Sequence, residues 1–293
     1  MEWIVTDAES GLKLIDFLKS KQVSSSSRQI KKAIESNACT INGRTERFAS
    51  SPVGTGDKIN FNWIEKTTNS GAVLFEDENL FIYDKPSGVS SEDPKFIQNL
   101  EKTALTPLYL LHRLDKETSG VLLFAKTLKM QEKMLNLFKQ RKIRKTYYAV
   151  IDGIPTKDFG IIDNYLGKLH VYQGQTLWGA VNSEKGLHAR TEWRVMQKGK
   201  DAALLECRPI TGRTHQIRVH CSGMGHPILG DYQYGRKFRC SVRPPRCLLH
   251  AFEVIFIDPI KDFEVIVRAP LPKDMEQALK SMMKKDNYEN IDH

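Results

Sequence analysis

One carboxylate set among cations is the first feature of this sequence that could do chemistry. It is Asp115, within the stretch His112-Arg113-Leu114-Asp115-Lys116-Glu117-Thr118-Ser119-Gly120. Apolar runs at 108–111 and 121–125 flank this stretch, which predicts a strand, a polar loop and a second strand. A short loop held by two strands would present Asp115 rigidly, as enzymes present a catalytic carboxylate. The alternative is a polar turn that carries a surface aspartate.

A second segment, residues 211–220, is dense in hydrogen-bond donors. Its sequence is Thr-Gly-Arg-Thr-His-Gln-Ile-Arg-Val-His. Gly212 and Thr214 suit a loop that enters a helix N-terminus, where backbone N–H groups favour anions. If the segment is helical, Thr214 and Arg218 share one side while Ile217 faces the core. The alternative is a solvated helix face.

Two further segments could line a site. Lys145-Thr146-Tyr147-Tyr148-Ala149-Val150 predicts a strand in which Tyr147 and Tyr148 point to opposite faces. One ring could then line the site while the other packs elsewhere, unless both are structural. Residues 225–235 are rich in glycine and contain Asp231, and they form either part of a site or a structural loop.

Composition favours a soluble globular protein with a polyanionic partner. The chain has 293 residues, enough for one large domain or two smaller ones, and 40% of them are hydrophobic. The net charge is +9, and the excess is local. Residues 126–145 carry eight Lys or Arg and one acid, and residues 208–246 carry the same numbers. Such blocks indicate a track for nucleic-acid phosphates, or else solvated faces.

Cysteine and histidine spacing predicts no metal and no disulfides. The five cysteines include no CxxC pair, and their odd number argues against a disulfide framework. Three histidines lie between 215 and 226, but without the spacing of a zinc site. No signal-peptide pattern and no apolar run of 18 residues is found, so we expect a cytoplasmic protein that does not enter a membrane.

The front of the chain predicts a small α+β domain over residues 1–66. Residues 12–18 have the apolar spacing of a short helix, and Ser24–Ser27 offer N-caps to a second helix over 28–34. Arg28, Lys31 and Lys32 share one face of that helix. Turns are predicted at Asn42-Gly43 and at 54–57, and residues 67–72 are predicted as a linker.

The remainder, residues 73–293, predicts one α+β domain. A hairpin is expected over 73–83, and residues 127–141 place Leu128, Leu135 and Phe138 at helical spacings beneath a lysine-rich outer face. Further strands are expected at 191–196, 203–207, 248–257 and 263–267, and a helix at 275–283. Strands follow one another without regular helices, so a doubly wound sheet is not expected. Neither GxGxxG nor a Walker pattern occurs, so no nucleotide cofactor is implied.

The front domain resembles a known RNA-binding module. Its order of helix, capped basic helix, Asn-Gly hairpin and late Gly-Asp turn is similar to the αL module of ribosomal small-subunit protein four. The resemblance implies that Arg28, Lys31 and Lys32 contact backbone phosphates, which positions RNA without reading its bases. The alternative is an accessory domain with a solvated helix.

The larger part resembles the RluA-type RNA pseudouridine synthases of the large-subunit ribosomal RNA branch. Five motifs carry the resemblance in order, over nearly all of residues 75–270: HRLDKETSGVLLFAK, KTYYAV, TGRTHQIRVH, GHPILGD with YG, and LLHA. The resemblance implies a mixed, mainly antiparallel sheet with a central RNA cleft. It also implies isomerisation of uridine to pseudouridine without any cofactor.

The resemblance assigns roles to individual residues. Asp115 matches the catalytic aspartate, Arg218 the arginine that pairs with it, and Tyr147 the active-site tyrosine. Arg113, Arg213 and His215 are expected to contact the substrate. Arg113 would help to extrude the nucleotide or hold its phosphate. His112 is expected to order the loop rather than to transfer protons.

Several alternatives stay open. Ribosomal RNA is favoured over tRNA as the substrate by the front module. A non-enzymatic RNA-binding or ribosome-assembly protein could share the fold, although an intact Asp115, Tyr147 and Arg218 argue against it. A glycosidase is disfavoured because it needs two flanking carboxylates, and only Glu117 lies near Asp115 in sequence. Residues 169–183 are an RNA-contacting hairpin or an insertion, and the basic faces favour a monomer.

Overall fold

The computed structural model describes residues 2–21, 27–35, 38–61, 71–172, 175–235 and 237–283. The chain divides into two compact units. One comprises Met1–Thr67 with Arg243–Arg246, and the other comprises Thr68–Val242 with Cys247–His293. Residues 67–70 of the predicted linker and residues 24–26 of the predicted N-cap lie outside the described residues.

The first unit contains an antiparallel sheet and two α-helices around a small core. Its described elements are β1 (Glu2–Ile4), a 3-10 turn (Asp7–Glu9), α1 (Leu14–Ser20), α2 (Ser27–Glu35), β2 (Cys39–Ile41), β3 (Arg44–Glu46) and β4 (Lys58–Phe61), with the strand order β1-β4-β2-β3. Phe17, Ile34 and Ile59 are fully buried between helices and sheet.

Two local predictions for this unit can be compared with the structure. Asn42 and Gly43 both have positive φ, at 51° and 75°, which closes the β2–β3 hairpin with the predicted turn. Helix α1 begins two residues later than predicted. The carbonyl of Leu12 instead accepts a hydrogen bond from the N–H of Val53 at 3.0 Å, so Leu12 belongs to an extended segment.

The second unit is built on one large mixed sheet. Its described strands are β5 (Val73–Glu76), β6 (Leu80–Lys85), β7 (Tyr109–Leu110), β8 (Ser119–Ala125), β9 (Arg144–Asp152), β10 (Phe159–Tyr172), β11 (Gln175–Val181), β12 (Leu187–Lys198), β13 (Ala202–Pro209), β14 (Leu249–Ile257) and β15 (Glu264–Arg268). The order is β11-β10-β12-β13-β9-β14-β8-β6-β5, with β15 beside β14 and β7 beside β8. Among these described strands only β14 and β8 pair in parallel, so the predicted mixed, mainly antiparallel α+β fold is confirmed.

In the described residues, four helices accompany this sheet: α3 (Pro94–Ala104), α4 (Leu128–Lys139), α5 (Gln216–Gly223) and α6 (Lys273–Met283). Helix α3 was not predicted from the sequence. Helix α4 lies where it was expected, but its buried side is not the predicted one. Met130 and Met134 are fully buried, whereas Leu128 and Leu135 are exposed. The two methionines are four residues apart, so they share one side of the helix, and that side packs against β8. Their unbranched side chains suit the space between the helix and the strand.

Strand β8 follows the loop that carries Asp115 and holds it in place. All seven of its residues are buried, because Val121 and Leu123 pack on one side of the sheet while Leu122 and Phe124 pack on the other. Core side chains pack against both faces of this strand, which holds it in place. It therefore fixes the loop that precedes it, which is the loop of Asp115.

Candidate active site

The loop of Asp115 lies between β7 and β8, as predicted, and two groups, the Lys85 ammonium and the Gly88 N–H, fix its backbone. Lys85 is fully buried and donates its ammonium hydrogens to the carbonyls of Pro86, Val89 and Lys116 at 3.0, 2.9 and 3.4 Å. The backbone N–H of Gly88 donates to the same Lys116 carbonyl at 2.7 Å. These hydrogen bonds fix the backbone of Lys116, the residue next to Asp115.

Two side chains hold the ends of the same loop. The Ser91 hydroxyl donates to the carbonyl of Leu114 and accepts from its N–H, both at 3.0 Å. The Glu117 carboxylate accepts a hydrogen bond from the backbone N–H of Cys247 at 3.1 Å. Asp115 thus projects from a loop whose neighbouring residues are fixed on both sides, which is the rigid presentation that a catalytic carboxylate needs.

Arg218 contacts Asp115 from helix α5, 103 residues further along the chain. Its Nη1 donates to Asp115 Oδ2 at 3.2 Å. The bidentate grip that suits a guanidinium is made elsewhere, because Nε and Nη2 bind the two carboxylate oxygens of Asp231 at 2.7 and 2.8 Å. Nη2 also donates to Gln233 Oε1 at 2.8 Å. Sequence reasoning did not assign Asp231 this role, although its place in the glycine-rich stretch marked the region.

These contacts fix the charge as well as the position of Arg218. Burial opposes the charge, but the hydrogen bond and negative charge of Asp231 dominate and raise the pKa of the guanidinium well above its usual value. A permanently charged donor thus lies within hydrogen-bond distance of the Asp115 carboxylate. Tyr234 also contacts the Arg218 side chain, because the guanidinium carbon lies over its ring, 5.0 Å from the ring centroid.

His215 ends the loop that leads into α5, and its backbone adopts the left-handed conformation with φ of 56°. The helix begins at Gln216, so Thr214 precedes it and the predicted sharing of a helix side with Arg218 does not apply. Ile217 is buried in the core, as expected. The His215 ring lies with Nε2 3.8 Å from Asp115 Oδ2 and Nδ1 2.7 Å from the Tyr234 hydroxyl. Burial and the charge of Arg218 lower the pKa of His215, which favours the neutral ring.

Tyr147 and Tyr148 point to opposite faces of β9, as predicted. Tyr147 lines the cavity that contains Asp115, whereas the Tyr148 ring stacks on Phe252 with centroids 4.4 Å apart. Burial and the nearby charge of Asp115 raise the pKa of Tyr147, so its hydroxyl stays protonated at neutral pH.

Asp115, Tyr147, His215 and Arg218 line one cavity of about 590 Å³ within the second unit. That volume falls in the range of small-ligand sites and suits a single nucleotide. In the described part of the chain no cluster of His, Cys, Asp or Glu is arranged to hold a metal ion.

Comparisons with known proteins agree on one family. The sequence profile described as RNA pseudouridylate synthase matches residues 79–223, which include Asp115, Tyr147 and Arg218. An RNA pseudouridine synthase of Zymomonas mobilis is 37% identical over 212 residues, covering 69% of this chain and 94% of that protein. The ribosomal large subunit pseudouridine synthase C of Vibrio cholerae is 34% identical, covering 72% of this chain and 69% of that protein.

The chain belongs to the RNA pseudouridine synthase family. It is therefore an isomerase that converts uridine to pseudouridine, with RNA as its substrate, and the resemblance to the RluA-type enzymes is confirmed. The solved structure of human RNA pseudouridylate synthase domain containing 4 shares the fold. Its TM-score is 0.61 at 28% identity, covering 72% of this chain and 92% of that chain. No helix in the described ranges is both long and apolar enough to cross a bilayer.

The other predicted contact residues of this pseudouridine synthase lie in two places. Arg113 and Arg213 line the cavity. Arg113 pairs with Glu92 at 3.0 Å, and Arg213 Nε donates to the carbonyl of His188 at 2.9 Å. Arg28, Lys31 and Lys32 belong to α2 of the first unit.

Of the three basic residues on α2, only Lys31 has a side chain that the structure describes. Lys31 is exposed, whereas the side chains of Arg28 and Lys32 lie outside the described residues. The structure therefore supports an available cation at Lys31, and the shared basic face stays a prediction from helical spacing.

His112 orders the loop, as the sequence suggested. Its Nε2 accepts a hydrogen bond from the backbone N–H of Leu123 at 3.3 Å, which ties the start of the loop to β8. Burial and the charge of Lys145 lower the pKa of His112 to about 3, so the ring is neutral and can accept.

Lys145 is a cavity residue of this synthase to which sequence reasoning gave no role. The signal was present, because Lys145 precedes Tyr147 by two residues on a strand and so shares its face. The sequence could not show that this face lines the cavity.

Proposed function

We propose that this chain isomerises uridine in large-subunit ribosomal RNA, with Asp115 as the catalytic carboxylate. The observation that carries the assignment is the hydrogen-bonded ion pair of Asp115 and Arg218 inside a nucleotide-sized cavity. Its supports are the family of the chain and the intact Asp115, Tyr147 and Arg218.

The substrate has to leave its stack before the chemistry can begin. Uracil must be detached from the sugar at N1, turned, and rejoined through C5, which is impossible inside a stacked strand. Flipping the nucleotide into the cavity costs a few kcal/mol of unstacking. Contacts from Arg113 and Arg213 to the neighbouring phosphates offset that cost. Arg113 would exchange its exposed partner Glu92 for a phosphate, which is inexpensive because exposed ion pairs are weak.

Asp115 must be ionised to act on the flipped nucleotide. Arg218 places a positive charge 3.2 Å from this carboxylate, and Asp231 holds Arg218 in place. The carboxylate then attacks the sugar or the base, or stabilises positive charge that develops on the sugar. Tyr147 stacks on the uracil ring, and its protonated hydroxyl is available for a hydrogen bond.

Two arguments favour ribosomal RNA as the target. Relatives such as the Vibrio cholerae protein are named for the ribosomal large subunit. The front domain, residues 1–66, resembles an RNA-binding module, and Arg28, Lys31 and Lys32 would contact phosphates there. Transfer RNA is the alternative substrate. The five free, buried cysteines fit the reducing cytoplasm, where we expect the enzyme to act as a monomer.

Release of tritium from RNA labelled at C5 of uracil tests the catalytic assignment. Joining the sugar to C5 must expel that hydrogen, whereas binding alone expels none. Asp115→Asn should keep RNA affinity within about threefold and slow release by at least about 10³-fold. Asp158→Asn, an exposed carboxylate paired with Lys198, is the matched control and should release tritium at the wild-type rate. Equal release by the Asp115 variant would refute its role.

A map of pseudouridines tests the target. In cells that lack this protein, specific sites in large-subunit ribosomal RNA should revert to uridine while tRNA stays unchanged. Loss confined to tRNA would transfer the assignment to the alternative substrate.

A further inference from the structure

The cavity contains one cation that the mechanism so far leaves unused. Lys145 lies on β9 two residues before Tyr147, and both side chains line the cavity. A β-carbon placed at Gly212 would lie 3.7 Å from the Lys145 Nζ, so the ammonium sits over the glycine of the 211–215 loop. Lys145 and Tyr147 therefore line the same side of the cavity.

The surroundings of Lys145 differ from those of the cavity arginines. Arg218 is paired with Asp115 and Asp231, and Arg113 is paired with Glu92. Among the described residues, no carboxylate or carbonyl forms a hydrogen bond or ion pair with the Lys145 ammonium. Burial without a partner disfavours the charge and lowers the pKa of Lys145 to about 8, which still leaves it mostly protonated at neutral pH.

An unpaired cation in a substrate cavity is costly unless the substrate supplies its partner. The reaction does supply negative charge, and it does so on the base. If the glycosidic bond breaks first, its electron pair stays with uracil N1 and spreads to the carbonyl oxygens. If a carboxylate adds to the ring first, the added electron pair also moves to a carbonyl oxygen. Both routes therefore make the uracil oxygens anionic while the ring is in the cavity.

We propose that Lys145 is a catalytic residue whose ammonium donates a hydrogen bond to a carbonyl oxygen of the flipped uracil and stabilises the negative charge on the detached base. The proposal rests on the proposed function, since it needs a uracil bound beside Tyr147. No proton is transferred in this step. The electron pair of the C1′–N1 bond goes to the base, where Lys145 stabilises it, and the positive charge left at C1′ is stabilised or bonded by the Asp115 carboxylate. The base returns an electron pair when C5 bonds to C1′; the C5 proton then leaves and N1 takes up a proton.

The position of Lys145 favours the base over a phosphate as its partner. Phosphates stay with the backbone at the mouth of the cavity, where the exposed pair of Arg113 and Glu92 lies. Lys145 is largely buried and shares a strand face with the ring that stacks on the base. A phosphate contact is the competing outcome, and it would affect RNA affinity rather than turnover.

Substitution of Lys145 separates these outcomes. Lys145→Gln should lower the rate constant for tritium release by about 100-fold, as removal of one donor to a developing anion does, with RNA affinity within about threefold of wild type. Lys145→Arg keeps the charge and should recover most of the loss. Lys157→Gln, an exposed lysine away from the cavity, is the control and should match wild type. A loss confined to RNA affinity would overturn the proposal, as would an unchanged rate.

A substrate with 5-fluorouridine at the target tests the charge directly. Fluorine at C5 withdraws electrons and stabilises the uracil anion, so detachment should depend less on Lys145. The ratio of wild-type to Lys145→Gln rates for forming the C-glycoside, measured by mass spectrometry, should shrink from about 100 to about 10 or less. An unchanged ratio would overturn the proposal. Absence of tritium release from unmodified, C5-labelled RNA by the wild-type protein would instead refute the proposed function.

The pH profile provides a third readout. Three other titratable groups of the cavity have pKa values that are shifted away from pH 8. His112 and His215 have lowered pKa values, and the pKa of Tyr147 is raised. The remaining charges are the carboxylates Asp115 and Glu92 and the three arginines already named. Turnover should fall above about pH 8 in wild type, and Lys145→Arg should remove that fall; its persistence in the arginine variant would count against Lys145.

Discussion

Two lysines of this enzyme, each 30 residues along the chain from Asp115, differ in whether the protein supplies hydrogen-bond partners to their ammonium groups. Lys85 is fully buried beneath the loop, and three backbone carbonyls accept hydrogen bonds from its ammonium. Lys145 lies in the cavity wall, where no described residue forms a hydrogen bond or ion pair with its ammonium. The same side chain is therefore a structural clamp in one region and an unsatisfied charge in the other.

The difference indicates which part of the site the protein completes by itself. The loop of Asp115 and the guanidinium of Arg218 have their polar partners before substrate arrives. The wall with Lys145 and Tyr147 leaves its partner to the substrate. Enzymes preorganise donors where charge develops, and such donors reduce the stability of the free protein. Four substitutions can test this contrast through the free energy of unfolding.

The largest effect is expected where a satisfied cation loses its main partner. Asp231→Asn removes the bidentate partner of Arg218 at a site that is 2% exposed. We expect the free energy of unfolding to fall by about 4 kcal/mol, because a buried guanidinium is left under-paired. Urea denaturation measures the change. Asp163→Asn, an exposed carboxylate that pairs with Arg190, should cost about 1 kcal/mol or less, and equal losses in the two variants would contradict the argument.

The second-largest effect is expected at Lys85, whose ammonium binds the backbone carbonyls beside the Asp115 loop. Lys85→Met leaves the partly buried carbonyls of Pro86 and Val89 without this donor, and we expect the free energy of unfolding to fall by about 3 kcal/mol in urea denaturation. Lys133→Met, which removes one hydrogen bond from an exposed lysine to the Pro259 carbonyl, should change stability by about 0.5 kcal/mol or less. A neutral result at Lys85 would mean that the clamp does not hold the loop.

The same substitution at Lys145 should have the opposite sign. The lysine titrates near 10.5 when unfolded and at about 8 when folded, so the folded state resists its charge. Lys145→Met should raise the free energy of unfolding at pH 7 by about 2 kcal/mol, after a discount for partial exposure.

The stability difference between Lys145→Met and wild type should depend on pH. Between the two pKa values the unfolded chain binds more protons, so wild-type stability should rise as the pH increases from about 8 towards 10.5. The methionine variant lacks this contribution, and its advantage over wild type should shrink across that window. Denaturation at pH 7 and pH 10 measures both values, and a less stable variant at pH 7 would remove the contrast between the two lysines.

The smallest effect is expected at a secondary partner. Gln233 accepts from Arg218 Nη2 and donates to the carbonyl of Thr176 at 3.1 Å. Gln233→Leu should cost about 1 kcal/mol, because Asp231 still holds the guanidinium. Gln233→Glu keeps the acceptor for Arg218 and should recover part of that loss. A cost as large as that of Asp231→Asn would show that the two partners are equivalent.

Local sequence patterns predicted most of the elements that build the site. The strand, loop and strand around Asp115, the helix that carries Arg218 and the opposite orientations of Tyr147 and Tyr148 all follow from spacing over a few residues. Helix α4 shows the limit of such patterns. Leucines and methionines are both apolar at helical spacings, and only packing against β8 decided that Met130 and Met134 are buried.

The partnerships within the site depend on contacts between distant parts of the chain. Asp115 and Arg218 are 103 residues apart, and they meet because β13, β9, β14 and β8 are neighbours in the sheet. Spacing alone did not reveal that Arg218 grips Asp231 with two hydrogen bonds, or that Lys85 reaches the carbonyl of Lys116. The types of the reactive residues were determined by the sequence itself, because side-chain chemistry is local. Which charge is satisfied and which awaits the substrate was decided by the tertiary structure, because burial and hydrogen-bond partners exist only once the chain has folded.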